Sequence, residues 1–166
     1  YLPQVPGMTV YCPANFAELR QMLRRALYET DGPVAVRYPR GGEGAYYTGC
    51  GSDALADCLR EGTDCTVLSY GVLVNHALEA ARRLEAEGIS VRVVKLNRIA
   101  PLDGGEIAEV LRGTRRLVVL EDCLARGCVG ERVAALLAET GEEPERLVLK
   151  NAGESLPPQG TVPQLE

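Results

Sequence analysis

Histidine is nearly missing from this sequence: His76 is the only one. None of the six cysteines, at positions 12, 50, 58, 65, 123 and 128, forms a Cys-x-x-Cys pair. A zinc site needs thiolates or imidazoles at close spacing, so the sequence offers none. No apolar run approaches the roughly 18 residues of a membrane span, and no signal-peptide pattern is visible. Glycines are frequent, yet no strand-to-helix turn carries G-x-G-x-x-G, which leaves out the dinucleotide fingerprint. Basic charge is in deficit, with 18 Lys and Arg against 23 Asp and Glu, for a formal charge of −5. An acidic chain does not take nucleic acid or an anionic membrane as a bulk partner. The thiols read as buried or incidental residues of a reducing compartment, so a cytoplasmic location is expected.

What remains is a globular composition, 46% hydrophobic and 25% charged over 166 residues, enough for one domain or one domain plus part of another. The chain opens at Tyr1, mid-pattern at Pro3-Gln4-Val5-Pro6, and is expected to be a fragment of something larger. Thr9 to Cys12 reads as a strand. Asn15 is an N-cap with Glu18 at capping-box spacing, and Phe16, Leu19, Met22, Leu23, Ala26 and Leu27 form an apolar stripe, which predicts a helix over 15–30. Asp31-Gly32-Pro33 stops it, and Val34 to Tyr38 is the next strand. This unit is too small for a domain and reads as the end of one. Residues 41–64 carry six glycines and no apolar period. They read as a linker, with a short strand near Tyr46-Tyr47 and a helical turn near Leu55–Leu59.

From Cys65 onward strands and helices alternate. Strands are expected at Thr66–Tyr70, Val91–Leu96, Arg116–Leu120 and Arg146–Leu149. Helices are expected at Leu73–Glu87, Glu106–Leu111 and Gly130–Thr140. In the first helix Leu73, Ala77, Ala80, Ala81 and Leu84 face inward, and Gly88 ends it. Such alternation predicts an α/β domain with parallel strands and helices on both faces, a three-layer arrangement. The tail from Asn151, with Pro157, Pro158, Gly160 and Pro163, is expected to lie extended.

The densest chemistry lies between Asp31 and Gly42, where a short apolar strand brings Arg37 and Arg40 to its C-terminal end. Ligands bind at that end of open α/β sheets, and the planar guanidinium suits a phosphate or carboxylate. Pro39 ends the strand and turns Arg40 outward. The alternative is that both arginines cap a sheet edge or form surface ion pairs. Arg37, three residues earlier, points to the other face and is expected to pair with an acidic neighbour. Glu121 and Asp122 follow a buried strand; they could serve as acid and base, but a helix-capping or interface role is favoured. His76 is expected to be solvated or locally bonded. Arg82-Arg83 and Arg115-Arg116 read as solvated faces or subunit contacts.

Val36-Arg37-Tyr38-Pro39-Arg40-Gly41 resembles an Arg-Tyr-Pro-Arg-Gly element of the 1-deoxy-D-xylulose-5-phosphate synthase family, within the thiamine-diphosphate-dependent transketolase superfamily. Val5-Pro6-Gly7-Met8, Leu68-Ser69-Tyr70-Gly71, Pro101-Leu102-Asp103, Val119-Leu120-Glu121-Asp122 and Pro158-Gln159-Gly160-Thr161 fall in the matching order. The resemblance implies a transferase that joins pyruvate to glyceraldehyde 3-phosphate with loss of carbon dioxide, a step towards isoprenoids, thiamine and pyridoxal. It implies that residues 1–40 end a pyrimidine-binding domain, 41–64 link, 65–150 form the transketolase C-terminal domain, and 151–166 are a tail. It assigns Arg40 to the phosphate of glyceraldehyde 3-phosphate. It places the essential glutamate and the segment holding thiamine diphosphate and Mg2+ before Tyr1. The fragment alone is therefore expected to be inactive and to bind no cofactor. Expected partners are the missing N-terminal part and a second subunit in a homodimer. Two alternatives stand beside it. One is the C-terminal half of a transketolase or of a 2-oxo acid dehydrogenase β subunit, which usually lack the double arginine. The other is a non-catalytic assembly module, against which the open edge of an incomplete first sheet argues.

Overall fold

The computed structural model describes residues 2–39, 41–155 and 160. At the N-terminal end, β1 (Thr9–Tyr11), α1 (Phe16–Tyr28) and β2 (Val34–Val36) form a strand–helix–strand unit with β1 and β2 parallel. Asn15 caps α1, its side chain accepting the Glu18 N–H at 2.9 Å. The Glu18 carboxylate reaches past the cap residue to the Ala14 N–H at 2.8 Å, one position off a closed capping box. The apolar stripe that predicted α1 is present but mostly uncovered: Phe16 is 59% and Leu27 73% exposed, while the helix buries Glu18 and Met22.

The rest of the chain builds β3 (Ala56–Arg60), β4 (Cys65–Tyr70), α2 (Val74–Glu85), β5 (Val91–Leu96), β6 (Arg98–Ala100), α3 (Gly104–Val110), β7 (Arg116–Leu120), α4 (Val129–Thr140) and β8 (Arg146–Lys150). Five of these strands make one sheet in the order β3-β5-β4-β7-β8, parallel except for β3. Ile107 of α3 and Val133, Leu136 and Leu137 of α4 cover one face, packed on Leu68, Val94, Leu117 and Val119. Ala77 and Ala81 of α2 cover the other, against Val91 and Val93. The three-layer α/β arrangement is therefore present, with strands buried on both sides as their near-continuous apolar runs require.

Three local expectations are corrected. Leu55–Leu59 is no helical turn: Leu55 is buried and Ala56, Asp57 and Cys58 pair antiparallel with Leu96, Lys95 and Val94. A free sheet edge overrides a weak local pattern. No strand forms at Tyr46-Tyr47, because the N–H groups of both residues go to the side chain of Asn75 instead of to a ladder. Ala80 of α2 is exposed, and Asn75 is buried on that helix.

Strand β6 was not expected at all. It leaves the end of β5 and pairs antiparallel with β1, Val10 opposite Ala100 and Tyr11 opposite Arg98, giving a second sheet in the order β2-β1-β6. The N-terminal unit is thereby stitched to the larger domain. Most of the tail expected to be extended, 156–159 and 161–166, lies outside the described residues.

Candidate functional site

Strand β2 of the small sheet and the parallel strands β4 and β7 of the larger one end on residues that meet one another. Arg37 follows β2, Tyr70 closes β4, and Glu121 and Asp122 follow β7. Arg37 Nη2 lies 2.6 Å from Asp122 Oδ1, and its guanidinium sits 5.6 Å from the centroid of the Tyr70 ring. The Tyr70 hydroxyl donates to Glu121 Oε2 at 3.0 Å. Both Glu121 oxygens are also taken by the start of α4, through the N–H groups of Val129 and Gly130 at 2.8 Å each. A buried carboxylate with both oxygens bonded to a helix N-terminus is a cap and not a proton shuttle. Gly130 is required there, since a Cβ would stand 2.8 Å from Glu121 Oε1. The favoured roles of Glu121 as a cap and of Arg37 as a paired structural residue thus match the geometry.

This cluster holds no ready nucleophile. Burial pushes the Cys12 thiol up to about 12, with Asp122 adding and Arg37 opposing. Burial followed by Glu121 raises Cys123 to about 11. Burial and Glu121 likewise raise the Tyr70 phenol. All three groups stay protonated at neutral pH, whereas a reactive cysteine needs its thiolate. Arg37 pays for its own burial through Asp122, which holds its pKa above the ordinary arginine value.

Arg40 lies outside the described residues. Its neighbours Pro39, Gly41 and Gly42 line a small cleft with Asn15, Phe16 and Val72, of about 30 Å³. That volume admits a water molecule or two.

A second polar cluster had no forecast. Lys95, next to last in β5, and Glu18, on α1, are both fully buried with Nζ and Oε1 3.0 Å apart. Tyr47 donates its hydroxyl to the same Glu18 oxygen at 2.6 Å and receives the Gly51 N–H at 3.1 Å. Lys95 also donates to Asn97 Oδ1, and Asn97 Nδ2 donates to Asp57 Oδ2 at 2.9 Å and to Ala54 O at 3.1 Å. One signal was available in the sequence, a lysine interrupting the apolar run Val91-Arg92-Val93-Val94-Lys95-Leu96. Its partner was hidden, because Glu18 fits a surface capping box equally well.

The other candidates fall apart spatially. His76 is exposed on α2. Arg82 stacks on Tyr46, its guanidinium 5.5 Å from the ring centroid, and Arg83 pairs with Glu79. Arg115 forms a two-pronged contact with Glu145 at 2.7 and 3.1 Å, and Arg116 donates to Asp64 O at 3.3 Å. Among the described residues no three or more His, Cys, Asp or Glu side chains converge as a metal site. No helix among them is long and apolar enough to cross a membrane.

Residues 54–165 match the family described as "Transketolase, C-terminal domain". The 1-deoxy-D-xylulose-5-phosphate synthase of Chlorobium phaeovibrioides is 40% identical over 147 residues, covering 86% of this chain and 23% of that protein. The 1-deoxy-D-xylulose-5-phosphate synthase 1 of Geobacter sulfurreducens is 35% identical over 175 residues, covering 99% of this chain and 26% of that protein. The chain thus spans about a quarter of the length of these curated relatives. A solved structure titled "Split gene transketolase, inactive beta4 tetramer" superposes with a TM-score of 0.85 at 32% identity, covering 98% of this chain and 53% of that one.

Proposed function

This chain belongs to the transketolase C-terminal domain family, and from that premise we propose that it is the C-terminal portion of a 1-deoxy-D-xylulose-5-phosphate synthase. The whole enzyme would condense pyruvate with glyceraldehyde 3-phosphate, release carbon dioxide and form 1-deoxy-D-xylulose 5-phosphate. In this reading Arg40 anchors the phosphate of glyceraldehyde 3-phosphate. The observation that carries the reading is the division of labour at the end of β2. Arg37 is committed to Asp122 at 2.6 Å, so the ligand role falls to the second arginine of the element. An anchored phosphate orients the remote aldehyde for attack, which is where such binding energy acts.

Thiamine diphosphate and Mg2+ would belong to the portion of the enzyme ahead of this chain. The described residues do not fit a bound cation, since they bring no cluster of acidic or imidazole donors together. The cofactor's chemistry is therefore assigned to none of them. Two features suit a preceding portion as partner: β2 is an edge strand of its sheet, and α1 leaves Phe16, Leu23, Leu27 and Tyr28 exposed. A homodimer is part of the same proposal. The likeness to a split-gene transketolase over 98% of the chain favours a second reading, in which this is the separately encoded half of a transketolase. A screen of sugar-phosphate and aldehyde substrates separates the two.

Arg40→Ala in the full-length enzyme tests the main reading. The KM for glyceraldehyde 3-phosphate should rise far more than that for pyruvate, because only the aldehyde substrate carries a phosphate. Losing one charge-assisted contact should lower kcat/KM for that substrate about ten- to a hundredfold. Arg40→Lys should recover part of it, keeping the charge without the fork. An equal loss toward both substrates in a folded protein would remove Arg40 from the phosphate site.

A further inference from the structure

We propose that residues 47–54 are a strap, closed by the buried pair Glu18–Lys95, which opens as a unit of its own while both sheets stay folded. The pair latches the strap, and the strap keeps the pair dry. This device belongs to the joint between the two sheets and holds whichever substrate the whole enzyme takes.

Glu18 stands on α1 and Lys95 on β5, so the pair itself bridges the small unit and the larger domain. The strap is arranged around it. Tyr47 donates its hydroxyl to Glu18 Oε1 at 2.6 Å, and the same hydroxyl accepts the Gly51 N–H at 3.1 Å. Burial, followed by the bond to Glu18, pushes this phenol up and keeps it a donor. Lys95 donates to Asn97 Oδ1, which leaves the Asn97 NH2 for Ala54 O at 3.1 Å and Asp57 Oδ2 at 2.9 Å. Asp57 Oδ2 in turn accepts the Ser52 N–H at 3.1 Å. From α1, the cap residue Asn15 donates to Gly49 O at 2.6 Å. Two glycines permit the close approach. A Cβ on Gly51, at φ +66°, would stand 2.7 Å from Glu18 Oε1, and one on Gly49 2.8 Å from the Tyr47 ring. Tyr47 and Leu55 are buried at the two ends, but no residue between them is. The strap is therefore held by polar bonds that lead back to Glu18 or Lys95, and not by an apolar core of its own.

Segments with few buried apolar contacts open at lower free energy than the core around them. Lifting this one exposes no face of either sheet, so its opening is separable from that of the domain. It does admit water to Glu18, over which the Gly51 backbone lies. Replacing both charges by apolar groups removes the cost of burying them. It also removes the acceptor of Tyr47 and the donor that orients Asn97. Core stability and strap closure should then part company.

Hydrogen exchange of the full-length enzyme, read by mass spectrometry on peptides from 47–54, β4 and β7, provides the test. Val133→Ala, in the core on α4 and away from the strap, should speed exchange in β4 and β7 at least about tenfold and leave 47–54 unchanged. Glu18→Leu with Lys95→Met should do the reverse, with β4 and β7 close to the wild-type rate and 47–54 about tenfold faster. Should that double variant not fold, Tyr47→Phe keeps both charges, removes the hydroxyl that ties Gly51 to Glu18, and should also speed 47–54 about tenfold. Equal acceleration of all three peptides in Val133→Ala would show that the stretch opens only with the whole domain. Wild-type exchange of 47–54 in the double variant, or in Tyr47→Phe where that is the one that folds, would show that the pair does not close it. Either result overturns the strap.

Discussion

Helices α1 and α2 have 13 and 12 residues, each lies in sequence between two parallel strands, and each is amphipathic. Helix α2 sets Ala77 and Ala81 against the sheet, as its pattern requires, and buries Val74 beside Ala14 and Tyr47. Helix α1 sets a glutamate there. Its buried positions are Glu18 and Met22, while Phe16, Leu23, Leu27 and Tyr28 face outward. The difference teaches what an amphipathic pattern encodes. It specifies that a face is to be covered, but not that the cover belongs to the same stretch of chain. In α2 the cover is β4 and β5. In α1 the cover is partial: β2 meets the helix, Met22 is buried, and Glu18 pairs with Lys95 of β5.

The sharpest way to break this comparison is to remove one member of that pair. Glu18→Ala or Lys95→Ala leaves a buried charge without its partner, and each should lower stability by about 3–5 kcal/mol in urea unfolding. The double replacement Glu18→Leu with Lys95→Met should restore most of the loss, since the desolvation cost disappears with the charges. Additive losses in the double variant would show that the pair does not couple.

A smaller effect probes the uncovered face. Val74→Ala on α2 should cost about 2 kcal/mol, as for other fully buried aliphatics. Leu27→Ser on α1 should change the stability of this chain by less than about 0.5 kcal/mol. In the full-length enzyme the same Leu27→Ser should become as costly as the α2 change, if the preceding portion covers α1. Unchanged tolerance there would place that portion elsewhere.

A further effect, confined to alkali, is absent at neutral pH. The Cys12 pKa rises from 9.0 to about 12 on folding, so above pH 9 the unfolded chain releases a proton that the folded chain keeps. The stabilisation is whole below pH 9 and declines up to about pH 12, by about 1.4 kcal/mol per pH unit for this one group. Tyr47 and Tyr70, also raised, act in the same direction. Cys12→Ala should flatten the alkaline decline of stability measured by urea midpoints. An equally steep decline would assign it to the tyrosines.

Much of the larger domain was legible because its elements report on themselves. The apolar runs at Thr66–Tyr70, Val91–Leu96 and Arg116–Leu120 can only be buried strands, and Asn15 and Gly88 mark helix ends by local chemistry. What was not legible depends on distant partners. Three residues such as Arg98–Ala100 carry no period of their own, and they become a strand because β1 has a free edge. Ala56–Arg60 is a strand because β5 has one. Lys95 was visible as an oddity, but nothing near it in sequence named Glu18 or Tyr47. At the candidate site, an acidic partner for Arg37 and a capping role for Glu121 were legible from the strand ends. Asn75 gave no sign, because its bonds run to a glycine-rich stretch whose path only the fold defines.

The late strand β6 also carries a consequence for how the molecule comes into being. Tyr11 pairs with Arg98, so a chain growing from its N-terminus holds β1 with one side unpaired until residues 98–100 have been made. By then β3, β4 and β5 have all passed through synthesis. Bringing such distant ends together carries an entropic cost that grows with the intervening loop, and contacts of this range form slowly. The small sheet therefore closes only after three strands of the larger one have been made. Until that closure the small unit presents two open edges, and it is then that it is most exposed to pairing with the wrong strand.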